Sequence, residues 1–357
     1  MEELLFIQKY YHYLIAFIFL LIAMTFLSEF KKSLGIYSGI NFITICFSII
    51  VILYLGNRDV SIGFDTFRYE YNFSLYENSG SFFIRKDPFF DFISYLFANY
   101  LNFNLFLVFC SSVYVLGTFY GLKLIFGRDF YIPFLIFLIY PYFINMGINV
   151  IRSGLGGSLF LIGIGVYYKR NNFLKSFLWI GMSLLFHISM VIPLLFFLIT
   201  KFFNNTKFIF IIWLCSIVLA ILGINIIASF VSVIEGLTTR IGDYAVNNEG
   251  ESSWINFLMF GFFPIIFGVY FVLSKKILDP YYKWLVNAYM LIHIPYIILI
   301  NTQFASRIGY LAEFMMPLIL AYPLIKTDSY KQPFFKVKFC VIIFLVFLVK
   351  GYKVLVI

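Results

Sequence analysis

Apolar runs of roughly 17 to 25 residues, parted by short polar segments, recur along the whole chain. A run of that length crosses about 30 Å of hydrocarbon with every backbone group bonded inside its own helix. The pattern predicts spans at 10–27, 36–55, 105–126, 130–146, 151–168, 174–186, 188–202, 208–232, 255–273, 284–301, 308–325 and 337–356, about 12 in all. The expected fold is therefore an all-α, polytopic transmembrane helical bundle, with 1–357 forming a single integral membrane domain.

Two polar intervals interrupt this rhythm. The first, 56–104, contains the amphipathic segment "DPFFDFISYLFANYL", too short to cross and expected as an interfacial or re-entrant helix. The second, 233–254, is expected as another loop on the same side. Between 174 and 202, two short halves forming a hairpin with His187 at its tip compete with one long tilted helix.

Composition agrees with the pattern. Of 357 residues, 62% are hydrophobic and only 12% charged, so no soluble core could hide the apolar surface. The net charge of +9 is spread as Lys pairs beside the spans, which points to membrane lipids as partners and away from nucleic acid. The amino terminus carries acidic residues ahead of its apolar run and reads as a retained first span. Cys46, Cys110, Cys215 and Cys340 fall in separate apolar runs without metal spacing, which favours packing.

Lys and Arg concentrate on the cytoplasmic side of membrane proteins. With the hairpin and an external amino terminus, 16 of the 26 basic residues face inward, against 11 for the single tilted helix, so the hairpin is preferred. In that arrangement six of the eight arginines face outward, while the inner face is nearly all lysine. Lysine is a solvated point charge, whereas arginine offers a planar fork that pairs with phosphate and carboxylate and stacks on aromatics. The outer arginines therefore point to an anionic ligand.

The first outer loop opens with "NRDVSIGFDTFRYEYNF", which places Arg58, Asp59, Asp65 and Tyr69 among aromatics. Arg58, Asp59 and Tyr69, with Tyr244 of the second loop, are expected to bind substrate, Arg58 pairing with a neighbouring carboxylate and Tyr69 and Tyr71 stacking on a sugar. Arg152 opens a span in "NVIRSGLGGSLF", at the positive end of a helix dipole, with glycines suited to close helix packing. His187, in "SLLFHISMVIP", is the first candidate for a base near neutral pH, with Asp65 or Asp59 second. The second loop adds Arg240 and Tyr244, and Arg307 opens a later span that carries Glu313 two turns deeper. An intramembrane carboxylate is costly unless paired, so Glu313 is expected to brace an arginine or tyrosine. His12 and His293 are read as structural.

In order, "RD" before G-x-D-x-x-x-Y, "IRSGLGGSLFL", "SLLFHIS", "TTRIGDY" and "FASRIGYLAEFMMP" resemble the EpsG-like exopolysaccharide proteins and the Wzy-type O-antigen polymerases over roughly 50–320. The chain departs from many O-antigen polymerases in lacking long, arginine-patterned external loops. The resemblance implies the lipid-sugar transferase fold called GT-C. It also implies a metal-independent glycosyltransferase of the bacterial inner membrane, without cofactor, acting at the periplasmic or outer face. Its substrate would be an undecaprenyl-diphosphate-linked oligosaccharide, passed to a second lipid-linked repeat unit, with a chain-length regulator as a further partner. The matching positions carry over Asp65, Arg152 and His187 as catalytic and Arg240 and Arg307 as substrate-binding. The alternatives are an O-antigen ligase and a flippase for lipid-linked oligosaccharides.

Overall fold

The computed structural model describes residues 2–31, 34–170, 172–223, 254, 257–274, 277–301, 305–326 and 332–355. Among them there is no strand. Four helical stretches are long and apolar enough to cross a membrane: Glu2–Phe30, Tyr37–Gly56, Phe103–Asp129 and Ile308–Lys326. A bent pair, Tyr131–Ile139 with Tyr142–Ile148, makes a fifth if its halves form one span. Phe173–Phe186, Ile188–Phe202, Thr206–Ile221 and Phe263–Leu273 are apolar but shorter. The described residues are those of an all-helical membrane protein.

The described residues fall into two compact units. The first holds α1 (Glu2–Lys31), α2 (Leu34–Gly56), α3 (Thr66–Ser79), α4 (Pro88–Tyr100), α5 (Phe103–Phe126), α6 (Tyr131–Ile139), α7 (Pro141–Ile148), α8 (Ile151–Arg170) and α9 (Phe173–Phe186). The carboxy-terminal helix, Phe335–Leu355, belongs to it as well. The second holds α10 (Val191–Phe202), α11 (Thr206–Ile221), α12 (Phe263–Leu273), α13 (Pro280–Ile298), α14 (Ala305–Glu313) and α15 (Met316–Lys326).

Local chemistry sets the helix ends. The side chains of Asn102 and Asn172 accept from the backbone N–H three residues on, at 2.9 Å in both cases, closing the starts of α5 and α9. Tyr140 precedes Pro141 and is extended, with ψ of 124°, so the helical path breaks there and α6 and α7 meet at 77°. The chain also leaves helix at His187, whose φ and ψ are −156° and 106°, dividing 173–202 where the sequence predicts.

The seam of the first unit is built from small residues. A Cβ on Gly121 would lie 2.8 Å from the Leu161 carbonyl carbon, and one on Gly117 2.9 Å from Ser158 Oγ. Gly165 in turn meets the Gly121 carbonyl oxygen. These pairings advance together along both chains, so α5 and α8 run parallel in close backbone contact, the packing expected of the glycines after Arg152. On its other side α8 meets α9 antiparallel. There Ser183 Oγ donates to the Gly156 carbonyl at 2.7 Å and Ser176 Oγ to that of Gly163 at 2.8 Å. With Gly56 of α2 against Val108 of α5, the ends of α2 and α9 lie where α5 and α8 begin.

In the second unit, His293 of α13 is fully buried with its ring 4.4 Å from that of Tyr289, a packed position as expected. Glu313 is buried and interacts electrostatically with Tyr289, matching its expected tyrosine partner.

Candidate functional site

The polar interval 56–104 folds into more than the one expected helix. Amphipathic α4 forms as predicted, with Phe90, Asp91, Ser94 and Ala98 on its buried face. The polar mean character of 66–79 predicts no helix, yet α3 forms there. Its buried residues Tyr69, Phe73 and Tyr76 recur at helical spacing, and Gly80 ends it with φ of 62°. Asp91 then draws in the connecting segment, its Oδ2 accepting from the Arg85 and Lys86 N–H groups at 2.8 Å.

Asp87 lies at the cap position of α4, immediately before Pro88, and is extended (φ −123°, ψ 107°). Its carboxylate does not cap its own helix. Instead Oδ2 stands 2.5 Å from a terminal guanidinium nitrogen of Arg152, and Oδ1 accepts from the Ile188 N–H at 2.9 Å. The same Oδ2 is 3.6 Å from His187 Nδ1, just past hydrogen-bond reach. Two distant segments, at 152 and 187–188, thus converge on a carboxylate side chain only 2% exposed. Burial pushes this carboxyl upward, but His187, Arg152 and the Ile188 N–H outweigh burial and hold it below the ordinary carboxylate value.

Arg152, in the first turn of α8, has its guanidinium carbon 5.9 Å from the centre of the Phe90 ring and interacts electrostatically with Tyr69. The Tyr69 hydroxyl donates to the Asn149 carbonyl at 3.1 Å, and Asn149 Oδ1 accepts from the Asp65 N–H at 3.3 Å. Helix α3 is thereby tied to the turn that launches α8. Gly63, at φ of 94°, sits in this contact, where a Cβ would stand 2.9 Å from Thr66 Oγ1 and 3.0 Å from Asn149 Oδ1.

The structure sets Arg152 and His187 on one carboxylate, that of Asp87, a residue to which the sequence analysis gives no role. The available signal was a carboxylate just ahead of Pro88, with Asp91 present to serve the same first turn. Asp65 occupies the cap position of α3 without a side-chain cap bond, half-buried and electrostatically coupled to Tyr69. Asp59 is exposed, its carboxylate accepting from the Ser61 N–H at 2.8 Å.

Two expectations are corrected. Arg58 pairs with no carboxylate among the described residues. It donates to the Leu55 carbonyl at 2.5 Å, to that of Ile148 at 3.3 Å and to Thr66 Oγ1 at 3.4 Å, filling helix-end acceptors. Tyr69 is buried and braces the α8 turn, so its ring offers no open stacking face, whereas Tyr71 is exposed. Arg240 and Tyr244 lie outside the described residues, as does the Arg307 side chain on α14 and nearly all of 233–254.

Among the described residues no three His, Cys, Asp or Glu side chains are placed to hold a metal ion. What the cluster offers is a histidine with a buried carboxylate beside one ring nitrogen, leaving the other directed away, next to a guanidinium anchored by the same carboxylate. That is the equipment for taking a proton from a hydroxyl next to an anionic group. Neither a curated protein nor a solved structure matches the chain. The model of the EpsG family matches residues 40–356, with the Asp87, Arg152 and His187 cluster inside that range, and the chain belongs to the EpsG family.

Proposed function

We propose that this protein is a polysaccharide polymerase that transfers a glycan from undecaprenyl diphosphate onto a second lipid-linked repeat unit. Family membership supports a glycosyltransferase-type polymerase of exopolysaccharide or O-antigen. The observation that carries the reading is His187 set 3.6 Å from a buried Asp87 that also holds Arg152.

In the proposed reaction an acceptor hydroxyl attacks the anomeric carbon of the donor sugar. The new C–O bond forms as the bond to diphosphate breaks, and the bonding electrons leave on the diphosphate. The hydroxyl proton passes to Nε2 of His187, while Asp87 on the Nδ1 side keeps the ring oriented and stabilises its charged form. Guanidinium donors of Arg152 not engaged by Asp87 meet the growing charge on the diphosphate. Arginine charge in that role makes the transfer metal-independent. The same reading includes a GT-C-like bundle of about 12 spans in the bacterial inner membrane. The Lys-rich ends of α5 and α8 would face the cytoplasm and the Asp87 end the periplasm or exterior.

The test is polysaccharide banding in a deletion strain complemented at matched expression with wild type, His187→Gln, Arg152→Ala or Asp87→Asn. The expected outcome is a ladder with wild type and single repeats with His187→Gln, whose drop of about 10²- to 10⁴-fold is that of a lost general base. Core with no repeat in the deletion strain would replace this reading with a ligase or flippase. An intact ladder in all three variants would remove the site.

A further inference from the structure

Asp87 alone does not fix the direction in which Arg152 points. The hydrogen bond between them runs through one terminal guanidinium nitrogen and one carboxylate oxygen. A contact of that kind sets a distance and leaves the planar fork free to turn about it, unlike a bidentate pairing in which two nitrogens are held. The Arg152 side chain is 22% exposed and its head sits on a flexible arm, so a single orientation needs further contacts. Phe90 supplies one, its ring centre lying 5.9 Å from the guanidinium carbon.

Tyr69 supplies the other. Its hydroxyl interacts with the guanidinium by charge and as a hydrogen-bond partner, and it donates to the Asn149 carbonyl at 3.1 Å. A phenol has one proton to give, and arginine has donors but no acceptor. The order is therefore fixed: Arg152 donates to the Tyr69 oxygen, and Tyr69 donates to Asn149. Burial raises the Tyr69 pKa above its ordinary value although the Arg152 charge pulls the other way, so the proton stays on the oxygen for the Asn149 carbonyl. Asn149 stands three residues ahead of Arg152, and the hydroxyl thus ties the guanidinium to the turn from which its own helix starts. That turn is held in its own right, since the Ile148 carbonyl accepts from Thr66 Oγ1 at 3.0 Å and from Arg58 at 3.3 Å. The charge of Asp65 bears on the same tyrosine, which links that residue to the cluster.

We propose that Tyr69 is a positioning residue for the transfer, its hydroxyl turning the Arg152 guanidinium so that the donors left over by Asp87 face the leaving diphosphate. In this role Tyr69 touches neither sugar nor diphosphate and acts only through Arg152. Its place in the transfer rests on the polymerase reading; its hold on Arg152 does not. Tyr114 of α5 gives the contrast. It is buried as well, donates to the Phe143 carbonyl at 3.1 Å, and packs its ring on α8, where a Cβ on Gly154 would stand 3.2 Å from it. The hydroxyl-to-carbonyl bond is of the same kind, and Arg152 is not part of it.

The experiment measures how fast phenylglyoxal, a dicarbonyl selective for arginine, modifies Arg152 in the purified full-length protein in detergent, read by mass spectrometry of the peptide that contains it. Tyr69→Phe keeps the ring and removes the hydroxyl, and should speed the modification about threefold to tenfold, the range of one hydrogen bond. Tyr114→Phe should leave the rate as in wild type. In the complementation strain, at matched expression, Tyr69→Phe should shorten the polysaccharide ladder and Tyr114→Phe should not, whereas a merely structural role would make the two variants alike. An unchanged rate in Tyr69→Phe, or the same gain in Tyr114→Phe, would overturn the hold on Arg152. A faster rate with a full ladder in Tyr69→Phe, or equal shortening in both variants, would overturn the positioning role. If wild type itself restores no ladder, the polymerase reading falls and takes the role in transfer with it, and the modification rate alone decides the hold on Arg152.

Discussion

The two ends of the first unit handle charge in opposite ways. Where α2 and α9 finish and α5 and α8 begin, two charged side chains are buried at fixed geometry, Asp87 against Arg152 and the Ile188 N–H, and Arg58 against the Leu55 and Ile148 carbonyls. At the other end Lys123, Arg128, Lys169, Arg170 and Lys175 are exposed. Among the described residues there, Lys336 pairs with Asp129 at 3.0 Å. A solvated lysine needs only water, so its position is free to drift and still report on which side a loop lies. A buried arginine or aspartate needs partners at fixed geometry, so its position is determined by the fold and in turn determines it.

The sharpest way to break this contrast is Asp87→Ala. The change leaves the Arg152 guanidinium without its counterion and the Ile188 N–H without its acceptor. Removing one partner of a buried pair costs about 3 to 5 kcal/mol, and the first unit should lose that much in a denaturant titration of the purified protein. Asp87→Asn, which can still accept from the Ile188 N–H, should recover part of the loss. If Asp87→Ala unfolds at the wild-type midpoint, the carboxylate is not what holds the three segments together.

Next in size is the seam beneath the site. Gly121→Ala places a methyl group 2.8 Å from the carbonyl carbon of Leu161 and 3.0 Å from the Ile162 nitrogen, both backbone atoms. Neither can rotate away, so α5 and α8 must separate, at a cost of about 1 to 3 kcal/mol. Because Arg152 rides on α8 while Asp87 is anchored through α4, activity should fall with stability. Gly181→Ala, where a Cβ meets nothing within 4 Å, is the matched control and should be neutral.

Acidification probes the same carboxylate more gently. Its folded value lies below the unfolded value of about 3.9, so the stability it contributes is complete above pH 4 and is lost only as pH falls through the folded value. The difference in melting temperature between wild type and Asp87→Asn should stay constant from about pH 7 to pH 5 and shrink below about pH 4. A difference that shrinks already between pH 7 and pH 5 would place the titrating group elsewhere.

Much of this end of the molecule was legible in the sequence because it follows from periodicity and residue type. The break at His187, the amphipathic helix at 88–100 and the close-packed glycines after Arg152 are all local consequences of spacing. What was not legible is pairing at long range. Arg58 and Asp59 are neighbours in sequence, yet Arg58 reaches Ile148, 90 residues away, because the ends of α2 and α7 present free carbonyls there. Asp87 and Arg152 are 65 residues apart, and nothing between them in the sequence marks their meeting. Tyr69 looked like a stacking platform because aromatic content reveals chemistry without revealing burial. Only the fold decides which tyrosine of α3 faces inward.

The smallest effect is expected at the opposite end, and it is the one that makes the comparison fair. Lys169→Gln and Lys175→Gln remove exposed charges from the end of α8 and the start of α9, the same two helices that deliver Arg152 and Ile188 to Asp87. Each should change unfolding free energy by no more than about 0.5 kcal/mol, since water replaces what the protein supplied. Both variants together, introduced in the complementation strain, should leave the polysaccharide ladder unchanged while the membrane orientation is held by the remaining lysines. A loss comparable to that of Asp87→Ala would mean that the exposed lysines are coupled to the buried cluster along α8. The two ends would then have to be treated as one electrostatic unit, not as a topology marker and a binding site built on the same helices.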